Sequence, residues 1–202
     1  MDRIALAGGW LDLAGLTAAV VSLTYLHLAP TGLSPLRNAV SQFGITEYRA
    51  GYRAATVALA VAGLGAAIGL DKSLHEGGIG VVVALLVVFA VARAIISWFP
   101  MDEPGGPRTP TGHNHGVIAI VTFGSATLAA LRLGQVLSGG AQWHWLSPWS
   151  TVFGVAMALL VIGMASARRN RGLRGYFGLV ERGLYLAIIA WLLLLGVVII
   201  VG

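Results

Sequence analysis

Six long apolar runs, separated by short polar stretches, constrain the fold of this chain more than any other feature of its sequence. A segment of about 20 apolar residues is long enough to cross about 30 Å of bilayer hydrocarbon. Because lipid offers no partners for backbone polar groups, such a segment adopts an α-helix. The sequence therefore predicts an all-α polytopic membrane protein, a single compact bundle of six transmembrane helices over residues 10–29, 52–70, 79–99, 115–133, 149–167 and 179–201.

The composition agrees with this class and excludes several others. Apolar residues make up 57% of the 202 positions and charged residues 10%, against about one quarter charged in soluble domains. The sequence contains no cysteine, which excludes disulfides, thiolate catalysis and iron–sulfur ligation. The net charge of +5 is concentrated in short loops, so it indicates membrane orientation rather than a nucleic-acid partner.

The cations are distributed unevenly between the two sides of the predicted bundle. Six crossings place both termini and the loops near residues 71–78 and 134–148 on one side, with three of the thirteen Lys and Arg residues. The other ten lie at or near the opposite side: Arg37, Arg49, Arg53, Arg93, Arg108, Arg168, Arg169, Arg171, Arg174 and Arg182. By the positive-inside rule this side is cytoplasmic, so we expect a plasma (inner) membrane protein with both termini external.

The second apolar run carries small residues at intervals of four: Ala54, Ala58, Ala62 and Ala66. Small side chains let helix backbones approach closely in lipid, where van der Waals packing drives helix association. We expect this face to pack against another helix of the same chain rather than against a second copy.

Two connections on the arginine-rich side carry most of the polar motifs. In the first, residues 35–44 predict a short interfacial helix, bracketed by a proline and a glycine. Its apolar face would carry Leu36, Val40 and Phe43. In the second, Pro100 ends the third run and Asp102 lies two residues beyond it, after which prolines and glycines predict irregular structure as far as residue 112.

Four stretches in these connections and at the sixth helix resemble those of a known family: residues 34–41 (SPLRNAVS), 99–102 (FPMD), 113–115 (HNH) and 178–182 (GLVER). On these motifs, which extend over most of the chain, the sequence resembles the six-helix membrane proteins of the DUF998 family. The resemblance implies six helices and recurring polar positions, without an established activity. Where the family pattern often has an acidic residue ahead of the serine, this chain has Asn38, so no mechanism that needs a carboxylate there is implied.

Four polar side chains near the arginine-rich side support a metal-site hypothesis. His27 lies near the end of the first predicted helix, whereas Asp102, His113 and His115 border the third and fourth. Three imidazoles and a carboxylate are a ligand set that suits zinc, which would activate water for hydrolysis at the level of the lipid headgroups. The alternative is that Asp102 caps the fourth helix or pairs with a loop arginine while the histidines lie at the membrane interface.

A second catalytic hypothesis uses Ser41, His115 and Asp102 as a Ser-His-Asp relay, in which the imidazole takes the hydroxyl proton and the carboxylate orients the ring. No Gly-x-Ser-x-Gly motif surrounds Ser41. The residues alone therefore leave open whether the protein is an enzyme.

Ionisable residues inside the predicted helices either form a pair that fixes the helix register or line a polar pocket, because a charge in hydrocarbon costs several kcal/mol unless it is paired or faces water. Arg93 lies about two turns before the end of the third run, and Glu181 begins the sixth helix at a similar depth. We expect Arg93 to pair with Glu181 or with Asp102. Asp12, near the external end of the first run, is expected to contact one of two cations, Arg132 or Lys72.

These observations lead to two functional hypotheses. In the first, a cytoplasm-side pocket binds or modifies a lipid or a lipid-linked small molecule, and its predicted binding residues are Arg37, Asn38, Arg93, Glu181 and Arg182. In the second, the chain is a non-enzymatic accessory subunit that stabilises a partner membrane protein. The expected partners are membrane lipids in the first case and another membrane protein in the second. The cofactor that the metal-site hypothesis implies is a zinc ion.

Overall fold

The computed structural model describes residues 2–140 and 142–202 and confirms the predicted all-α class. Its six long helices are α1 Arg3–Leu28, α2 Arg49–Ser73, α3 Ile79–Ile95, α4 Pro110–Gly139, α5 Ser147–Arg169 and α6 Phe177–Val201. Short 3-10 segments cover Val40–Ile45, Ile96–Trp98, His144–Leu146 and Arg174–Tyr176. All six helices, with their flanking 3-10 turns, are long and apolar enough to cross a membrane.

Several helices begin earlier than hydropathy predicts, because capping residues extend them into polar sequence. The Asp2 carboxylate accepts a hydrogen bond from the backbone N–H of Ile4 at 2.8 Å, so α1 begins at Arg3 rather than at residue 10. Thr109 accepts from the N–H of Gly112 at 3.0 Å and a proline occupies the first helical position of α4. The histidines of residues 113–115 therefore lie within α4 rather than ahead of it.

The six helices pack as a ring in chain order, and α6 closes the ring against both α1 and α2. The closest approach is between α1 and α2. A Cβ atom on Gly15 would lie 2.6 Å from the backbone nitrogen of Ala62, and one on Gly8 would lie 2.6 Å from that of Gly69. The alanine face of α2 packs within the chain as predicted, since three of its members are buried: Ala58, Ala62 and Ala66.

Helices α4 and α5 are tied together at one end of the bundle and leave space at the other. At the end where α5 begins, Ser147 Oγ donates to the Gly134 carbonyl at 2.9 Å and Ser150 Oγ donates to that of Ala130 at 2.8 Å. Toward the other end, a Cβ on Gly116 or on Gly124 of α4 would meet no atom within 4 Å. We call this other end, where α1, α3 and α5 finish and the 3-10 segment Val40–Ile45 lies, the arginine-rich end.

The predicted contact of Asp12 with a cation is wrong. Asp12 is 0% exposed, and neither carboxylate oxygen has a hydrogen-bond partner. Its Oδ2 lies against α6, where a Cβ on Gly196 would come within 2.9 Å. Lys72 instead pairs with Asp71 at 2.8 Å, and Arg132 bonds to a glutamine one turn along its own helix at 3.2 Å. The register of α1 turns Asp12 into the bundle and away from these two cations, which lie near the ends of α2 and α4.

Candidate functional site

A cavity of about 360 Å³ lies near the arginine-rich end, among α3, α4, α5 and α6, and we call it the inner cavity. Its apolar wall comes from α4 and α5: Ala119, Ile120, Phe123, Val161, Met164 and Ala165. Its polar and ionisable residues are Ser41, Tyr52, Arg93, His115, Arg168, Arg169, Glu181 and Tyr185. Four residues that the sequence singles out are thus brought to one cavity: Ser41, Arg93, His115 and Glu181.

Arg93 is the most unusual group on this cavity, because its side chain is only 1% exposed and is not paired with an acid. Its Nη1 donates to the Tyr185 hydroxyl at 2.9 Å, and its guanidinium carbon lies 4.9 Å from the centre of that ring. Its Nε and Nη2 have no hydrogen-bond partner among residues 2–140 and 142–202. The predicted ion pair with Glu181 or Asp102 is wrong, since neither carboxylate comes within 4.0 Å of the guanidinium nitrogens.

Glu181 is buried and binds backbone instead. Its Oε2 accepts from the N–H of Val40 at 2.6 Å. Val40 begins the 3-10 segment Val40–Ile45, and the first N–H groups of a helix have no partner within it. The carboxylate of α6 therefore caps this segment and holds it at the inner cavity.

Arg182 holds the connection between α1 and α2, residues 29–48, against the bundle. Its Nη1 donates to three carbonyl oxygens, those of Asn38 at 2.7 Å, Pro35 at 2.9 Å and Gly178 at 3.0 Å. Its Nε donates to His27 Nε2 at 2.8 Å. The Asn38 side chain is used locally, accepting from the N–H of a serine four residues earlier at 2.7 Å. Arg182 and Asn38, both predicted to bind a ligand, do not line the inner cavity and instead position the connection.

The docked connection explains why residue 178 is a glycine and corrects the predicted interfacial helix. A Cβ on Gly178 would lie 2.5 Å from the Asn38 carbonyl oxygen and 2.7 Å from that of Pro35. The segment forms a 3-10 turn over Val40–Ile45 rather than a helix over residues 35–44. Leu36 is half exposed and does not share the buried face, because it lies in the preceding turn and its carbonyl accepts from α6.

The structure does not form the Ser-His-Asp relay. Ser41, Asp102 and His115 line one cavity described below, yet each has another hydrogen-bond partner. Those partners are Met101 Sδ at 3.2 Å for Ser41, Thr109 Oγ1 at 2.6 Å for Asp102, and the Phe99 carbonyl at 2.7 Å for His115. Asp102 thus accepts a hydrogen bond from Thr109, the residue that caps α4. Because a carbonyl only accepts, His115 Nδ1 carries the proton in that bond, and the neutral ring keeps Nε2 as an acceptor.

The four predicted zinc ligands are not brought together. Among residues 2–140 and 142–202, no group of three or more His, Asp or Glu side chains is arranged to hold a metal ion. Both ring nitrogens of His27 are engaged, Nδ1 by the Leu23 carbonyl at 2.7 Å and Nε2 by Arg182. His113 and His115 project about 200° apart around α4, so His115 is buried while His113 is exposed.

A second cavity of about 420 Å³, the outer cavity, lies beside the first at the level of the connections. Three arginines line it, Arg37, Arg168 and Arg174, together with one carboxylate, Asp102. Both cavities share four lining residues: Ser41, His115, Gly116 and Arg168. The predicted binding residue Arg37 therefore lines the outer cavity only.

Sequence reasoning missed two tyrosines and the local role of Arg168. Tyr185 follows Glu181 by four residues, a spacing that places both on one helix face, and this signal was available in the sequence. Tyr52 is buried with an unpartnered hydroxyl on the inner cavity. No sequence pattern marks it, since its place there depends on how α2 packs. The arginine cluster of residues 168–174 indicates orientation or the docking of anionic lipid headgroups, whereas the place of Arg168 on both cavities depends on tertiary packing.

One of three comparisons with known proteins gave a match. Comparison with curated proteins and with solved structures gave no match. A family model described as "Protein of unknown function (DUF998)" matches residues 13–198, which is nearly the whole chain. That span contains α2 to α5 whole, most of α1 and α6, and every residue that lines the two cavities. The chain therefore belongs to the DUF998 family of membrane proteins.

Proposed function

We propose that this protein binds the anionic headgroup of a membrane lipid, or of a lipid-linked small molecule, in the inner cavity. The observation that carries the proposal is the buried Arg93 guanidinium, which has two unpartnered nitrogens beside an otherwise largely apolar cavity. A buried charge is costly unless its donors are satisfied, and a guanidinium binds phosphate or carboxylate through two parallel hydrogen bonds. An anion at Arg93 would supply the missing partners.

The other polar groups on the cavity suit the same ligand. Arg168 and Arg169 add two cations toward the arginine-rich end, and Tyr52 has a free hydroxyl donor. Glu181 is the carboxylate on this wall, and the backbone of Val40 already engages it. The cavity volume lies in the range of about 300–1,000 Å³ that small-molecule sites occupy.

The apolar wall favours a ligand that carries a hydrocarbon chain. Ile120 is 70% exposed and Ala165 is also exposed, so two residues of this wall reach the outer surface of the bundle between α4 and α5. Gly116 and Gly124 leave open space on either side of Ile120 along α4, since a Cβ on either glycine would meet no atom within 4 Å. A lipid would reach Arg93 sideways, with its chain between α4 and α5. The separate partners of Ser41, His115 and Asp102 favour binding over catalysis.

The test compares lipid binding by the wild-type protein and three variants, using native mass spectrometry with phosphatidylglycerol and phosphatidylcholine of identical acyl chains. We expect Arg93→Gln to weaken phosphatidylglycerol binding by about 30-fold, the equivalent of about 2 kcal/mol for a charge-assisted contact. Gly124→Leu places a side chain in the lateral opening, at a position where a Cβ would meet no atom within 4 Å, and should weaken binding of either lipid by about tenfold or more.

Gly80→Leu is the matched control, because a Cβ on Gly80 also meets open space but the residue lies outside both cavities. It should bind lipid as the wild type does. Wild-type affinity for phosphatidylglycerol in both Arg93→Gln and Gly124→Leu, at unchanged melting temperature, would refute the proposal.

We further propose that the arginine-rich end faces the cytoplasm, so that the ligand comes from the inner leaflet of the plasma membrane. The support is the ten-to-three distribution of cations and the positive-inside rule. Because the chain has no cysteine, single-cysteine variants can test it. An impermeant maleimide added to intact cells should label Gly77→Cys and leave Arg171→Cys unlabelled until lysis. The reverse pattern would overturn the assignment.

A further inference from the structure

The outer cavity has more positive charge than a lipid with one anionic group requires. Arg37, Arg168 and Arg174 line it against Asp102, whose carboxylate is already bonded to the hydroxyl and the N–H of Thr109. None of the three arginines has an acidic partner within 4.0 Å in the described part of the chain. Like-charged groups gathered around a void are stabilised when an anion binds between them.

The geometry connects this charge to the site at Arg93. The two cavities share Ser41, His115, Gly116 and Arg168 as lining residues. Gly116 lies at this junction, and its missing side chain leaves open space there, with no atom within 4 Å of a Cβ. Arg168 borders both cavities, and its guanidinium carbon lies 5.3 Å from the centre of the Phe177 ring, which orients it.

From this arrangement we infer that the ligand is a lipid with two linked phosphates, a lipid diphosphate. This inference rests on the proposed function and names its substrate class. The lipid-proximal phosphate binds Arg93 in the inner cavity, the terminal phosphate binds Arg37 and Arg174 in the outer cavity, and Arg168 contacts both. The hydrocarbon chain leaves between α4 and α5.

The test measures the affinity ratio of two lipids that differ by one phosphate, phosphatidic acid and diacylglycerol diphosphate with the same acyl chains. We expect the wild-type protein to bind the diphosphate about tenfold more tightly, as one further set of charge-assisted hydrogen bonds provides. In the double variant Arg37→Gln, Arg174→Gln this ratio should fall to about one. In Gly116→Leu, which blocks the junction, it should fall in the same way.

The matched control is Arg49→Gln, Arg171→Gln, which removes two exposed arginines of the same end that line neither cavity. Its ratio should equal that of the wild type, and a collapsed ratio would show a general charge effect and overturn the inference. Inorganic diphosphate serves as competitor. Displacement of the lipid by an equal concentration of inorganic diphosphate would also overturn it, since the ligand would then need no hydrocarbon chain.

The failures of the two proposals are distinguishable. If the wild type binds both phosphate lipids equally and Gly124→Leu weakens both, the inner site stands and the diphosphate inference falls. If the wild type binds neither lipid better than phosphatidylcholine, both proposals fall.

Discussion

Replacing Gly15 with leucine should lower the melting temperature of the purified protein in detergent by about 10 °C, which corresponds to about 3 kcal/mol for a chain of this size. The reason is the contact between the α1 and α2 backbones. A Cβ alone would lie 2.6 Å from the nitrogen of Ala62 and 2.7 Å from the oxygen of Ala58, and backbone cannot yield as a flexible side chain does. The two helices would have to separate along their shared face.

Circular dichroism melts can check this prediction with two comparisons. Gly15→Ala should already destabilise, because the clash begins at the first side-chain carbon. Gly80→Leu, at a position open to space, should melt as the wild type does. A Gly15→Leu protein with an unchanged melting temperature would show that α1 and α2 are not in backbone contact.

Replacing Arg182 with alanine should release the connection between α1 and α2 from the bundle. The variant loses hydrogen bonds from a charged group to three carbonyl oxygens and to His27. A hydrogen bond to a charged group contributes about 1.5–3 kcal/mol, so we expect a loss of about 2–3 kcal/mol of local stability. The same connection carries Ser41, which lines both cavities, and Arg37, which lines the outer cavity. Both cavities should therefore lose part of their lining.

Amide hydrogen exchange gives the sharpest measurement, since the N–H of Val40 donates to Glu181 and that of Leu179 donates to the carbonyl of Leu36. Both amides should exchange about 30-fold faster in Arg182→Ala, the equivalent of about 2 kcal/mol. Arg182→Lys should recover only part of the protection, because an ammonium cannot reproduce the fixed fork of a guanidinium.

Arg171→Ala removes an exposed arginine of the same end and should leave both amides protected. Wild-type exchange at Val40 and Leu179 in the Arg182→Ala protein would mean that other contacts hold the connection, and the docking role assigned to Arg182 would be wrong.

Much of the candidate site was predictable in outline. The presence of Arg93 and Glu181 inside apolar runs indicated either a pair that fixes the helix register or a polar cavity, because ionisable groups in lipid need polar surroundings. The hydrogen-bond partners of these two side chains were not predictable. Opposite charges suggest an ion pair, yet Arg93 bonds to Tyr185 and Glu181 bonds to a backbone N–H. Which partner each side chain contacts depends on the depth and rotation of its helix, and hydropathy does not encode either.

The four side chains of the metal-site hypothesis are not grouped in the structure, for a related reason. Residues 113–115 suggested a metal-binding turn, but capping by Thr109 places them in a helix, where alternate residues project to opposite sides. The 178–182 motif was recognised as part of the sixth helix, whereas its role in holding residues 35–40 emerges only when the two segments meet.

The sequence by itself determined six helices and the end of the bundle that carries most of the arginines, because length, hydropathy and charge are properties of single segments. Only the tertiary structure decided which polar side chains meet. The contacts of Arg93 with Tyr185, of Val40 with Glu181, and of Arg182 with Asn38 join residues 92, 141 and 144 positions apart. Such contacts depend on the rotation and depth of each helix against its neighbours, and these are set by packing across the whole bundle.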